Sequence, residues 1–168
     1  LKVKNCLFTD PDLDPLLFVD YMESKEDNFF ENCTFQNSFH NPAIYGKEGS
    51  NKHTFLNCTI INNSNPIGTA GFYLNPTAHL RLINSLIINN TGKDDGGAMN
   101  LYISSVQEMS NNRFINNKIQ EGKGGAISLY KDDSVPIELD VIPILNCYFE
   151  NNSAIGCGGA IYVTFVSS

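Results

Sequence analysis

The motif Asn-Cys-x-(Phe/Ile)-x-Asn recurs along this chain with small variation, and its recurrence limits the fold more than any other feature. Copies begin at Asn5, Asn32, Asn57, Asn84, Asn111 and Asn146, so successive starts lie 27, 25, 27, 27 and 35 residues apart. A second motif, Gly-Gly-Ala-apolar-x-apolar, runs in phase with it at Gly96-Gly97-Ala98-Met99, Gly124-Gly125-Ala126-Ile127 and Gly158-Gly159-Ala160-Ile161. Weaker copies stand at Ala70-Gly71-Phe72-Tyr73 and Pro42-Ala43-Ile44-Tyr45, with Leu16-Leu17-Phe18 as a degenerate first member. The small-residue positions 16, 43, 71, 98, 126 and 160 are separated by 27, 28, 27, 28 and 34. Two motifs drifting together at such a period mark a solenoid, in which each repeat buries its apolar face only against its neighbours.

Each period holds short alternating apolar stretches bounded by Asn, Gly, Ser or Asp, the pattern of strands and turns. No window sustains the i, i+3, i+4, i+7 apolar set of a helix. The expectation is an all-β, right-handed parallel β-helix of about six coils of 25 to 35 residues. Handedness follows from the overwhelming preference of parallel crossovers for the right hand. A leucine-rich repeat has a similar period, but it needs Leu-x-x-Leu-x-Leu before the Asn, and the Gly-Gly-Ala segment has no counterpart there.

Asparagine tolerates left-handed backbone, so bends are expected at the Asn pairs, with the Gly-Gly pairs supplying another corner at Gly96, Gly97, Gly124, Gly125, Gly158 and Gly159. Equivalent positions then stack about 4.8 Å apart. An amide ladder is expected at Asn37, Asn62, Asn89, Asn116 and Asn151, with Asp10 at its start. Phe8, Phe35, Ile60, Ile87, Phe114 and Phe149 are expected to form a core stack. The long final period implies a protruding loop over residues 132–143, inside a single segment spanning 1–168. No polar cap follows Val163-Thr164-Phe165, and Leu1 is not an initiator Met. The chain is therefore read as a processed or excised piece that continues at the solenoid ends.

Four of the five cysteines (Cys6, Cys33, Cys58 and Cys147) share one motif position, filled by Ser85 and Asn112 in the other coils. Residues one strand spacing apart lie near the lower limit for a disulfide, and the spacing suits no zinc site. A stack of small buried thiols is expected, with Cys157, outside the ladder, more accessible.

The formal net charge of -7 argues against a nucleic-acid partner, whose phosphates need a basic face. No apolar run approaches the roughly 18 to 20 residues of a membrane-spanning helix, so no direct membrane insertion is expected. Neither catalytic, cofactor-binding nor metal residues are assigned. The acidic pairs Asp94-Asp95 and Asp132-Asp133 fall in expected turns and are read as solvated loop charges. There are only two arginines, Arg81 and Arg113, to act on an acidic sugar. Asp10-Pro11-Asp12-Leu13-Asp14 starts like a calcium loop but has Pro15 and Tyr21 where Gly and Glu are required. His40, His53 and His79 fall at unrelated phases of the repeat. Five sequons begin at Asn32, Asn57, Asn62, Asn89 and Asn151, but the repeat itself places Asn beside Ser or Thr.

Phe114-Ile115-Asn116-Asn117 followed by Gly124-Gly125-Ala126-Ile127, and Phe149-Glu150-Asn151-Asn152 followed by Gly158-Gly159-Ala160-Ile161, resemble the polymorphic outer membrane protein repeats. Ile60 to Asn63 and Ile87 to Asn90 are conservative copies. The resemblance covers roughly residues 30 to 165, departs in the first two coils, and implies a β-helix of the kind found in chlamydial surface adhesins and in large protist surface proteins. It implies a cell-surface or extracellular location and a non-enzymatic scaffold presenting loops for adhesion or assembly. The partner would be a host or neighbouring cell-surface protein or a glycan. A carbohydrate-binding or polysaccharide-active β-helix is the alternative, with Tyr45, Tyr73, Tyr102, Tyr130 and Tyr162 as its candidate aromatics, several of them on strands expected to face the core. A purely structural filament is a third.

Overall fold

The computed structural model describes residues 1–9, 14–19, 27–46, 52–131 and 143–165. Asp10, the acidic pair Asp132-Asp133 and nearly all of the 132–143 insertion lie outside those residues, as do residues 166–168. Three parallel sheets of six strands each wrap one core. The first sheet contains Lys2–Lys4, Asn28–Glu31, Lys52–Leu56, His79–Ile83, Val106–Ser110 and Ile144–Leu145. The second contains Leu7–Thr9, Thr34–Gln36, Thr59–Ile61, Leu86–Ile88, Arg113–Ile115 and Tyr148–Glu150. The third contains Leu17–Val19, Ile44–Gly46, Phe72–Leu74, Met99–Tyr102, Ile127–Lys131 and Ile161–Phe165. A minor sheet of three short strands, Ser64–Asn65, Thr91–Gly92 and Lys118–Ile119, follows the second in each inner turn it joins. The architecture is a parallel β-solenoid; four turns have a neighbour on both sides and the two outer ones on one side only.

The register follows the repeat. Phe35 pairs with Ile60, Ile60 with Ile87, Ile87 with Phe114 and Phe114 with Phe149, one residue per coil. The four inner members of this column are fully buried, while Phe8 and Phe149 in the outer turns are half-buried. Rings stack along the axis, with centroids 4.6 Å apart for Phe8–Phe35 and 4.8 Å for Phe114–Phe149. Phe30 and Phe55 form a parallel stack at 4.8 Å on the first sheet. Phe35 meets both edge-on, so two walls of the core interlock.

Two corners per coil turn the chain, and both are asparagines. All eleven non-glycine residues with positive φ among the described residues are Asn, at Asn5, Asn32, Asn57, Asn84, Asn111 and Asn146 before the second sheet and at Asn37, Asn62, Asn89, Asn116 and Asn151 after it. An ordinary side chain costs roughly 1–2 kcal/mol in that conformation. The third corner uses glycine. Gly96 adopts φ 77°, and a Cβ on the next residue, Gly97, would collide with the Gly125 carbonyl of the adjacent coil. The first glycine supplies a backbone angle and the second a close approach.

The left-handed Asn points its own side chain outward and swings the next residue in. The expected ladder asparagines, Asn37, Asn62, Asn89, Asn116 and Asn151, are all exposed; Asn89 and Asn62 do bond to each other at 3.2 Å, but at the surface. The continuous ladder inside the coil runs one residue later, through Asn63, Asn90, Asn117 and Asn152. Asn90 Nδ2 donates to the Ile60 carbonyl at 3.0 Å and to Asn117 Oδ1 at 3.0 Å. Its Oδ1 accepts from the Asn63 backbone N–H at 3.2 Å and from Asn63 Nδ2 at 2.8 Å. Asn117 repeats the arrangement with Ile87, Asn152 and Asn90. Asn90 and Asn117 thus fill both donors and both acceptor lone pairs.

Replacing Asn90 by Ala strands several buried partners and should destabilise the fold by about 2–4 kcal/mol. Asn89→Gly, one residue away, keeps the backbone angle and should change stability by less than ~0.5 kcal/mol. Urea unfolding followed by circular dichroism separates the two, and similar losses would place the weight on the outer asparagines instead.

Candidate functional site

Strand alternation sends every second residue of the third sheet outward. The outward column at its centre is Phe18, Tyr45, Tyr73, Asn100, Ser128 and Tyr162, paired in register from coil to coil. A second column carries Tyr102 and Tyr130. All five tyrosines singled out in the sequence therefore share one face, although the strands they sit on also supply core residues such as Ile44, Phe72, Met99 and Ile127. Phe18, Tyr45 and Tyr73 form a continuous stack with centroids 5.4 Å apart at each step. Burial raises the Tyr73 hydroxyl above its ordinary pKa, helped by Tyr102 and Tyr45.

Polar groups border this face. Tyr130 donates its hydroxyl hydrogen to Asp95 Oδ2, while Asp95 Oδ1 accepts the Lys123 backbone N–H at 2.6 Å. Burial, then the Asp95 bond, pushes the Tyr130 phenol well above its usual range. Lys123 donates to the Tyr162 hydroxyl at 3.1 Å, and its ammonium lies 4.7 Å from the centre of that ring. That contact raises the lysine and lowers the tyrosine. Asp95 is thus a structural acceptor, where the sequence suggested a solvated turn charge; only Asp94 is exposed. A groove of about 310 Å³ opens beside the tyrosine stack, bordered by Tyr45, Tyr73, Asn65, Thr69, Asp94 and Asn100. Asn100, Asn65, Thr69 and Lys123 carried no signal in the sequence. Aligning the chain on its 27–28-residue step, which sets Tyr73 against Asn100, is what could have found the first of them.

The remaining candidates are spread apart. Arg81 donates through Nε and Nη2 to Glu108 Oε2 at 3.1 and 2.7 Å across adjacent coils of the first sheet, which lowers the glutamate. The Arg113 guanidinium lies 5.6 Å from the centre of the Tyr148 ring on the second sheet. Among the described residues, no group of three or more His, Cys, Asp or Glu could hold a metal. All five sequon asparagines are exposed corner residues, whereas Cys33, Cys58, Asn63 and Asn90, which follow four of them, are buried.

Cys33, Cys58 and Cys147 donate their thiols to carbonyls of the preceding coil (Val3, Phe30 and Met109) at 3.5–3.7 Å. Asn112 does the same to Leu82 at 2.7 Å. All five cysteines are free; Cys6 and Cys157 are exposed and Cys33 and Cys58 buried. Burial pushes the Cys58 thiol up to about 11. His53, which the sequence left unassigned, faces the core of the first sheet, with Nδ1 3.2 Å from Asn28 Nδ2. Its pKa falls to about 4, mainly through burial, with His79 adding to the fall and Asp27 opposing it.

This architecture has known relatives at the level of family. Residues 1–142 match the model of the right-handed β-helix region. The chain belongs to that family. Residues 146–164 match the Chlamydia polymorphic membrane protein repeat, so the last turn carries the repeat that the Phe149 and Gly158 motifs resemble. No curated protein and no solved structure matches the chain. The two families together indicate a surface-protein scaffold, with outer-membrane or surface association suggested by the repeat. Right-handed β-helices also occur in enzymes, so the family alone assigns no chemistry. No described helix is long and apolar enough to cross a membrane.

Two outcomes follow for the buried groups. His53 binds its proton far more readily unfolded, at an ordinary pKa of 6.5, than folded, at about 4. Its contribution is complete above pH 6.5 and is lost as the pH falls toward 4, by about 2–3 kcal/mol at pH 4.5. Urea titrations at pH 7.5 and 4.5 should show His53→Gln with a smaller acid loss than wild type by that amount. With a maleimide, Cys6 and Cys157 should label in the native protein and Cys33 and Cys58 only on unfolding, as read by peptide mass spectrometry.

Proposed function

We propose that the chain is a non-enzymatic cell-surface scaffold whose third-sheet outer face and adjoining loops make adhesive contacts. The observation that carries this reading is the division of labour along each strand. Inward residues and corner asparagines hold the rod together, and the outward third-sheet positions place Tyr45, Tyr73, Tyr102, Tyr130 and Tyr162 on one side of it. Tyrosine suits a recognition surface because it offers a large rigid contact area with a polar tip.

Two observations favour binding over chemistry. Arg81 is committed to Glu108, and Arg113 to the Tyr148 ring on another sheet, so neither is positioned with the Asp94 and Asp95 side chains. Asp95 is in turn held by Tyr130 and the Lys123 backbone. The partner proposed is a cell-surface protein or glycan, and the location the cell surface or its exterior.

Beads coated with the purified chain should adhere to intact cells. The double variant Tyr45→Ala/Tyr73→Ala should reduce adhesion at least about tenfold, the loss of ~1.4 kcal/mol expected for a contact residue. Thr59→Ala on the outer face of the second sheet should leave it unchanged. A folded chain that binds no cell type would remove the adhesive reading.

A further inference from the structure

The tyrosine stack on the third sheet is interrupted, and the interruption coincides with the groove. Phe18, Tyr45 and Tyr73 stack in sequence, but the next rungs carry Asn100 and then Ser128 before Tyr162 restores an aromatic. Among the described residues no ring stacks on Tyr73 from the Asn100 side. The groove of about 310 Å³ lies at this step, at the small end of ligand sites.

Its wall is built in advance. Asn65 Nδ2 donates to the Thr69 carbonyl at 2.8 Å, and its Oδ1 accepts the Ile67 N–H at 3.1 Å. The Thr69 hydroxyl donates to the Asp95 carbonyl of the next coil at 2.8 Å. Asn65 and Thr69 are buried and spent on holding this loop. The other polar groups of the groove are not spent. The side chains of Asp94 and Asn100 and the hydroxyls of Tyr45 and Tyr73 make no hydrogen bond among the described residues. Four residues with unused polar groups, and the last tyrosine of the aromatic stack, therefore border a space that admits one small ring.

We propose that this groove binds a single hexose ring of a neutral glycan, a proposal that rests on the adhesive reading of the same face and names its ligand. The carbon-bound hydrogens of a pyranose pack against the Tyr73 ring, as apolar edges do against aromatic faces. Two phenols and an amide offer donors and acceptors for its hydroxyls, and the Asp94 carboxylate accepts from a hydroxyl in a charge-assisted bond. The charge also sets selectivity. The groove is lined by a free carboxylate and by no lysine or arginine among the described residues, so uronates, sulfated sugars and sialic acid meet like charge. The groove is open to solvent, which leaves room for the glycan chain to continue on either side of the bound ring.

The test is an array of neutral hexose oligosaccharides and uronate oligosaccharides probed with the purified chain and three variants, each checked for folding by circular dichroism. The expected result is binding to one or more neutral glycans and to no uronate. Tyr73→Ala and Asp94→Asn should each weaken that binding about tenfold, and Thr59→Ala should leave it unchanged. The proposal is overturned if the folded wild type binds no neutral glycan, if it prefers uronates, or if Tyr73→Ala and Asp94→Asn bind as wild type does. Bead adhesion to cells separates the two levels. Adhesion without glycan binding keeps the scaffold reading and sinks the groove, whereas glycan binding without cell adhesion does the reverse.

Discussion

A coil that turns three times around an apolar core must find partners for the peptide groups that leave a sheet at a corner, and after the second sheet the inward amides of Asn63, Asn90, Asn117 and Asn152, each following a left-handed asparagine, provide them. The corner peptide of Asn63 gives its N–H to Asn90 Oδ1 in the next coil, and the Phe35 carbonyl of the coil before is met by Asn63 Nδ2. An unpaired buried peptide group costs about as much as a lost hydrogen bond, and it would recur in every turn. The other corner solves the same problem with smaller groups. Cys33 and Cys58 donate thiols, Ser85 accepts the Cys58 N–H at 3.1 Å, and Asn112 accepts the Ser85 N–H at 2.9 Å. What that position requires is a short side chain able to serve the coil before it. This explains why Cys, Ser and Asn exchange there.

With the corners satisfied, the core is left to apolar columns that repeat at one strand spacing. Like side chains stack best on like, so phenylalanine follows phenylalanine at Phe30–Phe55 and Phe8–Phe35, while Ile60 and Ile87 fill the same column further along. His53 and Asn28 are the polar exception in an inward column that continues with Leu80 and Val106. Their mutual hydrogen bond makes the pair tolerable while the imidazole is neutral.

The sequence made the solenoid legible because the repeat is the fold: residues spaced by one coil are neighbours, so motif spacing reads directly as register. It also located the corners, since asparagine beside an apolar run has few other reasons to recur. It misplaced the buried ladder by one residue. Two adjacent asparagines look alike in a motif, and only the left-handed φ of Asn62 or Asn89 decides that their successors face inward. The bond between Asp95 and Tyr130 was illegible for another reason. It joins residues 35 apart through a turn and a strand, a contact fixed by loop geometry and not by the period. The burial of His53 was illegible because a single inward histidine leaves no repeat signature.

These two kinds of position bear on how recognition can arise on such a rod. A core or corner residue is held by coils on both sides, so a change at Asn90 or Ile87 is felt by its neighbours in the stack. The side chain of an outward residue at the centre of the third sheet lies beside its column neighbours and is not needed to satisfy a corner peptide. Tyrosine can therefore give way to Asn100 and Ser128 within one column while Phe72, Met99 and Ile127 beneath continue the core unbroken. The groove at that step sits where the repeat stops constraining the side chain, beside a wall that Asn65 ties to Thr69 and the Thr69 hydroxyl ties to the next coil. A rigid stack with a variable outer column can change what it binds without changing how it folds, and the proposed groove lies where the tyrosine column breaks and that freedom is open.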